Sequence, residues 1–478
     1  MKGWKWGVLA VSLFLMFGNA LLPNMWGLDR IGMATVCIFV GTMLLMILCN
    51  LIWPLFLSIM AFILNGVYTL NEALSISLGH NLMWFTVYCC MVLYVLRETG
   101  ILRRMAIWLI SRPIATKSPW LFLGSIFLAT MLMGYIMDCT ALIILYASLV
   151  GQIFEELDIK KGERFAEVIM IGIMLAVGVS YGATPIGHTI GVLAIGQFEP
   201  LGTTSFAHFI ITSVIMSLLF FVIIMLAMKF VFRLDVSRLQ GYDPSKLSAE
   251  LGPITKEEIV SVAIFFGIIV LWLLPTFLQN IAPGVFTVLN SLGMCAPVWV
   301  GMLIMILVPI NGKPLMNFEK ALADGVAWPA AFSMAVAMML GSAITNPEAG
   351  VSAMLTNMLA PLFGEMSPVL FVFIVCMLCM LVTNFSSNTV ATMLVATIAI
   401  PLVSGGIIEG IHPQALAIAV GNCACYAFAA PPGGTYAAYT SGTGWVSPKG
   451  MFTVGGTFAI VFGAIFATLG YQLAILLY

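Results

Sequence analysis

Charge is what this sequence has least of. Of its 478 residues only 8% are Asp, Glu, Lys or Arg, whereas 62% are hydrophobic. Mean hydropathy is +1.10. Soluble domains are charged at roughly a quarter of their positions, so a water-soluble enzyme and a disordered chain are both excluded. A net charge of -1 leaves no basic field for nucleic acid. Hydrophilic stretches are scarce too, the only long one running from Arg233 to Glu258. A helix needs about 20 apolar residues to cross a bilayer, and this chain has room for many. The expected fold class is an all-α polytopic membrane protein with almost no mass outside the lipid.

Metal and catalytic motifs are equally thin. The ten cysteines sit mostly inside apolar runs, where a free thiol behaves as a small hydrophobe. Cys376 and Cys379 form a CxxC without a second pair or a nearby His, which is not a zinc pattern. There is no His-Glu-x-x-His, and Asp138 has no second buried acid for a dyad. An intramembrane enzyme is therefore a remote reading, and no cofactor is expected beyond a coupling ion. The N-terminal run after Lys2 and Lys5 resembles a signal peptide but lacks a good small-residue cleavage site, so it reads as a first span.

What the chain does have is apolar runs, roughly eleven elements that reach across or into the bilayer. An N-terminal helix occupies 1–29. A first unit, 30–232, contains a long segment at 119–153 and an interrupted span at 166–198. After the connector at 233–258, a second unit, 259–478, repeats the plan with a long segment at 366–404 and an interrupted span at 411–445. If both long segments are hairpins that re-enter on their own side, and the N-terminus is cytoplasmic, all 19 basic residues except Arg30 fall on the cytoplasmic side. Single crossings would put the Lys160 and Arg233 clusters on opposite sides. The two units then form an inverted repeat, the plan by which secondary transporters place substrate and ions where broken helices meet. Broken backbone at membrane depth must be buried or line a polar cavity, so the breaks imply one shared site.

Those breaks are Met133-Gly-Tyr-Ile-Met-Asp-Cys-Thr-Ala141, Gly182-Ala-Thr-Pro-Ile-Gly-His-Thr189, Thr383-Asn-Phe-Ser-Ser-Asn-Thr389 and Ala429-Ala-Pro-Pro-Gly-Gly-Thr435. Ser387-Asn388-Thr389 at a hairpin tip, followed by Pro431-Pro432, resembles the divalent anion/sodium symporter family of carboxylate transporters. Phe318-Glu-Lys-Ala-Leu with Trp328-Pro329, and Leu70-Asn-Glu-Ala-Leu with Glu98-Thr-Gly-Ile101, resemble that family's leads into its two bundles. The resemblance covers nearly the whole chain. It implies an elevator-type carrier, a homodimer in the bilayer of the bacterial inner membrane, with substrate carboxylates held at both tips. In the second half it implies Asn388, Thr389, Pro431, Pro432 and Gly433 at the substrate. Thr383, Ser387, Asn388 and the Ala429 carbonyl would bind sodium, with Ser386 beside them. Ala430 stands where the family has Thr.

The first half departs from that pattern. Asp138-Cys139-Thr140 replaces Ser-Asn-Thr, Gly134 replaces a ligand Ser, and Gly187-His188-Thr189 replaces Gly-Thr-Pro. Cys139, Thr140, His188 and Thr189 remain candidates for the substrate, and Asp138 and Gly187 for coupling. Asp138 is the one acid deep in an apolar stretch, where a lone carboxylate is costly. It could pair with His188, carry a proton, ligate sodium, or bond hairpin N–H groups as a structural acid. His80, His208 and His412, near span ends, read as packing residues. The function expected is secondary active transport of small organic anions, most of all di- or tricarboxylates such as succinate, malate, fumarate or citrate. Exchange, sodium symport and proton symport stay open, and the lost first-half ligands point toward weak sodium dependence. The rival is a cation/proton antiporter using Asp138, although the second half offers no matching acid.

Overall fold

The computed structural model describes residues 3–49, 52–113, 117–184, 189–240, 242, 251–278, 281–291 and 293–478. Pro185 to His188 lie outside them, so the expectations for Gly187 and His188 fall outside the described residues. Nearly everything described is helix. Among the described residues the one strand pair is a hairpin of Pro309–Ile310 with Lys313–Pro314. Eight helices among the described residues are long and apolar enough to cross a membrane, or nine if a pair bent by 45° at residues 77–80 counts as one span. The roughly eleven elements expected are thus divided differently, because several are too short to cross alone. An arm of 16 residues reaches about 24 Å, less than the bilayer's core of about 30 Å. Helices Leu70–Ile76 and Val351–Phe363 lie outside every span expected from the sequence.

In chain order the first half contains α1 (Gly3–Phe17), α2 (Arg30–Leu48), α3 (Pro54–Leu64), α4 (Leu70–Ile76), α5 (Asn81–Glu98) and α6 (Ile101–Ile110). Then come α7 (Pro119–Gly134), α8 (Cys139–Glu156), α9 (Arg164–Ala183), α10 (Thr189–Gln197) and α11 (Phe206–Leu226). The second half contains α12 (Lys256–Leu278), α13 (Pro283–Ser291), α14 (Cys295–Leu307), α15 (Trp328–Thr345) and α16 (Val351–Phe363). It ends with α17 (Pro368–Phe385), α18 (Asn388–Ser404), α19 (Pro413–Cys423), α20 (Thr435–Gly442) and α21 (Pro448–Ile475). Helix α9 is the most enclosed span, with 89% of its window buried against 28% for α12. A helix apolar on every face belongs inside, and α9 is the centre of the bundle.

Contacts along α9 show how the first long segment folds. Phe127 of α7 lies against Gly172 and Gly134 against Ser180, so α7 runs parallel to α9. Helix α8 runs the other way, with the Phe154 ring tilted against Phe165 at a ring distance of 6.3 Å and Cys139 hydrogen-bonded to Tyr181. Hence α7 and α8 are antiparallel arms meeting at residues 135–138. The second long segment does the same: Gly410, just past α18, packs on Pro368 at the start of α17. Both hairpins begin Ser-Pro, and Ser118 and Ser367 cap their helices by accepting from Leu121 and Leu370 N–H groups.

The broken spans run in opposite directions. Helix α10 leads from the middle toward the start of α19, where Gly202 meets Gln414. Helix α20 leads from the middle toward the start of α9, where the Lys161 ammonium donates to the Thr443 carbonyl at 2.9 Å. The basic loops gather at this second end. The Ser447 hydroxyl donates to Glu167 at 2.6 Å, and Arg238 pairs with Glu163. That guanidinium holds the Glu163 carboxyl below the usual carboxylate range. Beside them Arg104 bonds Glu258 at 2.7 Å and the Gly252 carbonyl at 2.8 Å.

Candidate functional site

Four half-helices start in the middle of the bundle, and each carries a threonine in its first two positions. These are Thr140 on α8, Thr189 on α10, Thr389 on α18 and Thr435 on α20. Helix starts present unpaired N–H groups and the positive end of the peptide dipoles. Two packings are repeated between the halves: α20 lies on α8, and α10 lies on α18. Each broken span therefore sets its second piece beside the second hairpin arm of the other half.

At the first tip, Asp138 caps α8. Its Oδ1 accepts from the N–H groups of Thr140 at 2.8 Å and Ala141 at 3.2 Å. The acid expected to be buried is in fact exposed on a cavity wall. Asp138 thus has the hairpin-bonded geometry that is one of its four readings, while the pairing with His188 falls outside the described residues. The Thr140 hydroxyl donates to Thr435 Oγ1 at 2.9 Å, and Cys139 Sγ lies 3.2 Å from the same oxygen. The Thr184 hydroxyl donates to the Tyr135 carbonyl at 2.7 Å and ties the break to the tip. Gly134 could not hold the serine the family would place there, because Ser180 Oγ occupies the room a side chain would need.

At the second tip, Thr383 and Asn388 come together as expected. Thr383 Oγ1 lies 2.8 Å from Asn388 Oδ1 and 2.7 Å from the Ala424 carbonyl. Three neutral oxygens gathered in one place are the kind of ligand a hard cation takes. Ser387 is the capping residue of α18 but makes no side-chain cap bond. Ser386 and Thr389 are half-buried beside it, and Pro431 and Pro432 are exposed. Gly433 is buried so close to the Thr383 carbonyl that a Cβ would stand 2.7 Å away. Ala429 is engaged through its N–H, which donates to Asn384 Oδ1 at 2.7 Å. Asn384 also donates to the Tyr426 carbonyl at 2.9 Å. Among the described residues no group of three His, Cys, Asp or Glu side chains could hold a metal; the second tip offers a cation neutral oxygens and the first tip the Asp138 carboxylate.

A cavity of about 540 Å³ opens beside the first tip. Asp138, Thr140, Thr189 and Thr435 form one wall, and α5 with the start of α15 forms the other. Arg97 and Asp324 also line it, and Arg97 stacks on Tyr94 at 5.2 Å. The second tip does not line it.

Sequence reasoning missed Thr435, Asn384 and Ala424. Thr435 could have been found as the first residue after Gly433-Gly434, in the place Thr189 takes in the first half. One pattern argues for an enzyme until it is placed in the fold: Gly178-Val-Ser180-Tyr-Gly182 matches Gly-x-Ser-x-Gly. A nucleophile elbow needs a strand-to-helix turn. Ser180 lies within α9, where its hydroxyl donates to the Ala176 carbonyl at 2.8 Å. Two of the histidines at span ends are caps, His80 for Leu82 N–H and His412 for Ala415 N–H. Cys376 and Cys379 are fully buried packing residues.

Among solved structures, 27 chains match this one. The Alcanivorax borkumensis YdaH transporter, whose crystal structure is described as revealing an unusual topology, aligns over 87% of this chain and 88% of its own. Its TM-score is 0.55 at 14% identity, a likeness of fold. No curated protein matches the sequence. The family described as "Sodium:sulfate symporter transmembrane region" matches residues 4–478. With that match and this fold, the chain belongs to the sodium:sulfate symporter family, the divalent anion/sodium symporters, and is an integral membrane secondary transporter that moves an anion with a cation.

Proposed function

We propose that the protein carries small di- or tricarboxylates, of the size of succinate, malate, fumarate or citrate, by an elevator mechanism. The observation that supports this most is the set of four central half-helix starts, each with a threonine, three of them on the wall of one cavity. Threonine hydroxyls and helix-start N–H groups are neutral donors, able to hold a carboxylate without a permanent countercharge. Thr383, Asn388 and the carbonyls of the loop after α19 offer sodium its oxygens, while the first tip offers a capped acid instead. Coupling through the second half alone follows, or exchange of one carboxylate for another. Elevator movement is favoured because hairpins and broken spans pack on each other, with α5 and α15 across the cavity. The protein would act as a homodimer in the bacterial inner membrane, N-terminus and basic loops cytoplasmic.

Uptake of labelled C4-dicarboxylates into proteoliposomes tests the proposal, with a sodium gradient, a proton gradient, unlabelled substrate inside, or none of these. Uptake is expected with a sodium gradient or internal substrate, and Asn388→Ala should abolish it while the protein remains folded. No uptake of any dicarboxylate in any condition overturns the substrate class. Near-normal uptake by Asn388→Ala overturns the second-half site.

A further inference from the structure

Asp138 sets a carboxylate on the wall of the cavity where a dianion would be held. Its Oδ1 takes the N–H groups of Thr140 and Ala141 at 2.8 and 3.2 Å. Those are the donors with which a helix start would hold an anion, so at this tip the protein's own carboxylate already fills the anion's place. The other oxygen, Oδ2, makes none of the hydrogen bonds found among the described residues. The side chain is exposed on the cavity wall. Two acids, Asp138 and Asp324, line the cavity against one base, Arg97, a formal charge of -1 among the described lining residues. Arg97 rests on the Tyr94 ring at 5.2 Å.

A substrate carboxylate beside Asp138 would meet a fixed like charge, an arrangement that rejects ligands as strongly as a complementary charge selects them. An ammonium in the same place gains a charge-assisted hydrogen bond to Oδ2, which no described residue occupies. Carboxylates keep their own donors, since the Thr140, Thr189 and Thr435 hydroxyls line the same cavity. We infer that Asp138 determines specificity, and that the substrate is an amino-substituted dicarboxylate whose ammonium group sits against it. The inference rests on the carboxylate reading above and narrows it.

The test compares labelled L-aspartate with labelled succinate on the full-length protein in proteoliposomes. Asp138→Asn keeps a capping acceptor for α8 while removing the charge. The wild type should favour aspartate at least tenfold in kcat/KM, a difference of about 1.4 kcal/mol. Asp138→Asn should shift the ratio toward succinate by tenfold or more. The shift in melting temperature with each ligand reads the same ratio, so a variant that binds without translocating still decides the question. A wild type that favours succinate, or a ratio unchanged in Asp138→Asn, overturns the role of Asp138 and leaves the carboxylate reading standing. Uptake of neither probe by the wild type overturns both.

Discussion

Asn384 is a joint between the second hairpin tip and the unwound loop after α19, and its removal should open that joint without unfolding the protein. The side chain is 2% exposed. Its amide donates to the Met380 carbonyl of its own helix at 2.7 Å and to the Tyr426 carbonyl across the gap at 2.9 Å. Its oxygen accepts from the Ala429 N–H at 2.7 Å. Asn384→Ala therefore strips two bonds that cross between elements and leaves two buried loop groups without partners. Each orphaned group costs about 1–3 kcal/mol, and interhelical bonds in bilayers lie nearer the low end. About 2 kcal/mol in total corresponds to an undocked population raised about 30-fold. Cys423 and Cys425, both 0% exposed, sit at the start of that loop and report on it. Their maleimide labelling, followed peptide by peptide, should accelerate in Asn384→Ala. Thr397→Val is the control, because its hydroxyl bonds only the Met393 carbonyl of its own helix at 2.9 Å. Labelling in Asn384→Ala within about twofold of wild type, against the 30-fold expected from the two orphaned groups, would refute the docking role.

Thr435→Val keeps the shape of α20 but removes the oxygen that accepts from Thr140 at 2.9 Å. Losing one hydroxyl contact of about 1 kcal/mol should raise KM for the dicarboxylate about fivefold at nearly constant kcat, and an unchanged KM removes Thr435 from the site. Arg104→Gln takes the guanidinium from Glu258, a residue 3% exposed that keeps the Thr255 N–H at 2.7 Å, and frees the Gly252 and Pro253 carbonyls. Losing hydrogen bonds to a charged partner costs about 1.5–3 kcal/mol, so the fraction of protein surviving a heating series in detergent should fall. Survival equal to wild type would make the pair incidental.

Much of the fold and part of the site are legible from local chemistry. Ser-Pro before an apolar run marks the start of each hairpin arm, because Ser caps and Pro suits the first helical position. Clusters of Gly, Pro and hydroxyl residues inside apolar runs mark the breaks, since only buried or cavity-lining backbone can be irregular in lipid. Thr383 with Asn388 was within reach because five residues separate them. Helix α16 was hidden because Ser352, Thr356, Asn357 and Pro361 interrupt its apolar pattern.

The sequence by itself determined that the chain lives in a membrane, where its backbone breaks, and which residues stand at the breaks. Those are questions of hydropathy and local backbone geometry, settled within a few residues. Tertiary structure alone decided which break meets which. Thr140 finds Thr435 across 295 positions, Thr383 finds the Ala424 carbonyl across 41, and Ser180 fills the space Gly134 leaves empty. It also decided that Asp138 faces a cavity rather than apolar packing. Whether a carboxylate is buried depends on what the other half of the chain packs against it, and no local pattern carries that information.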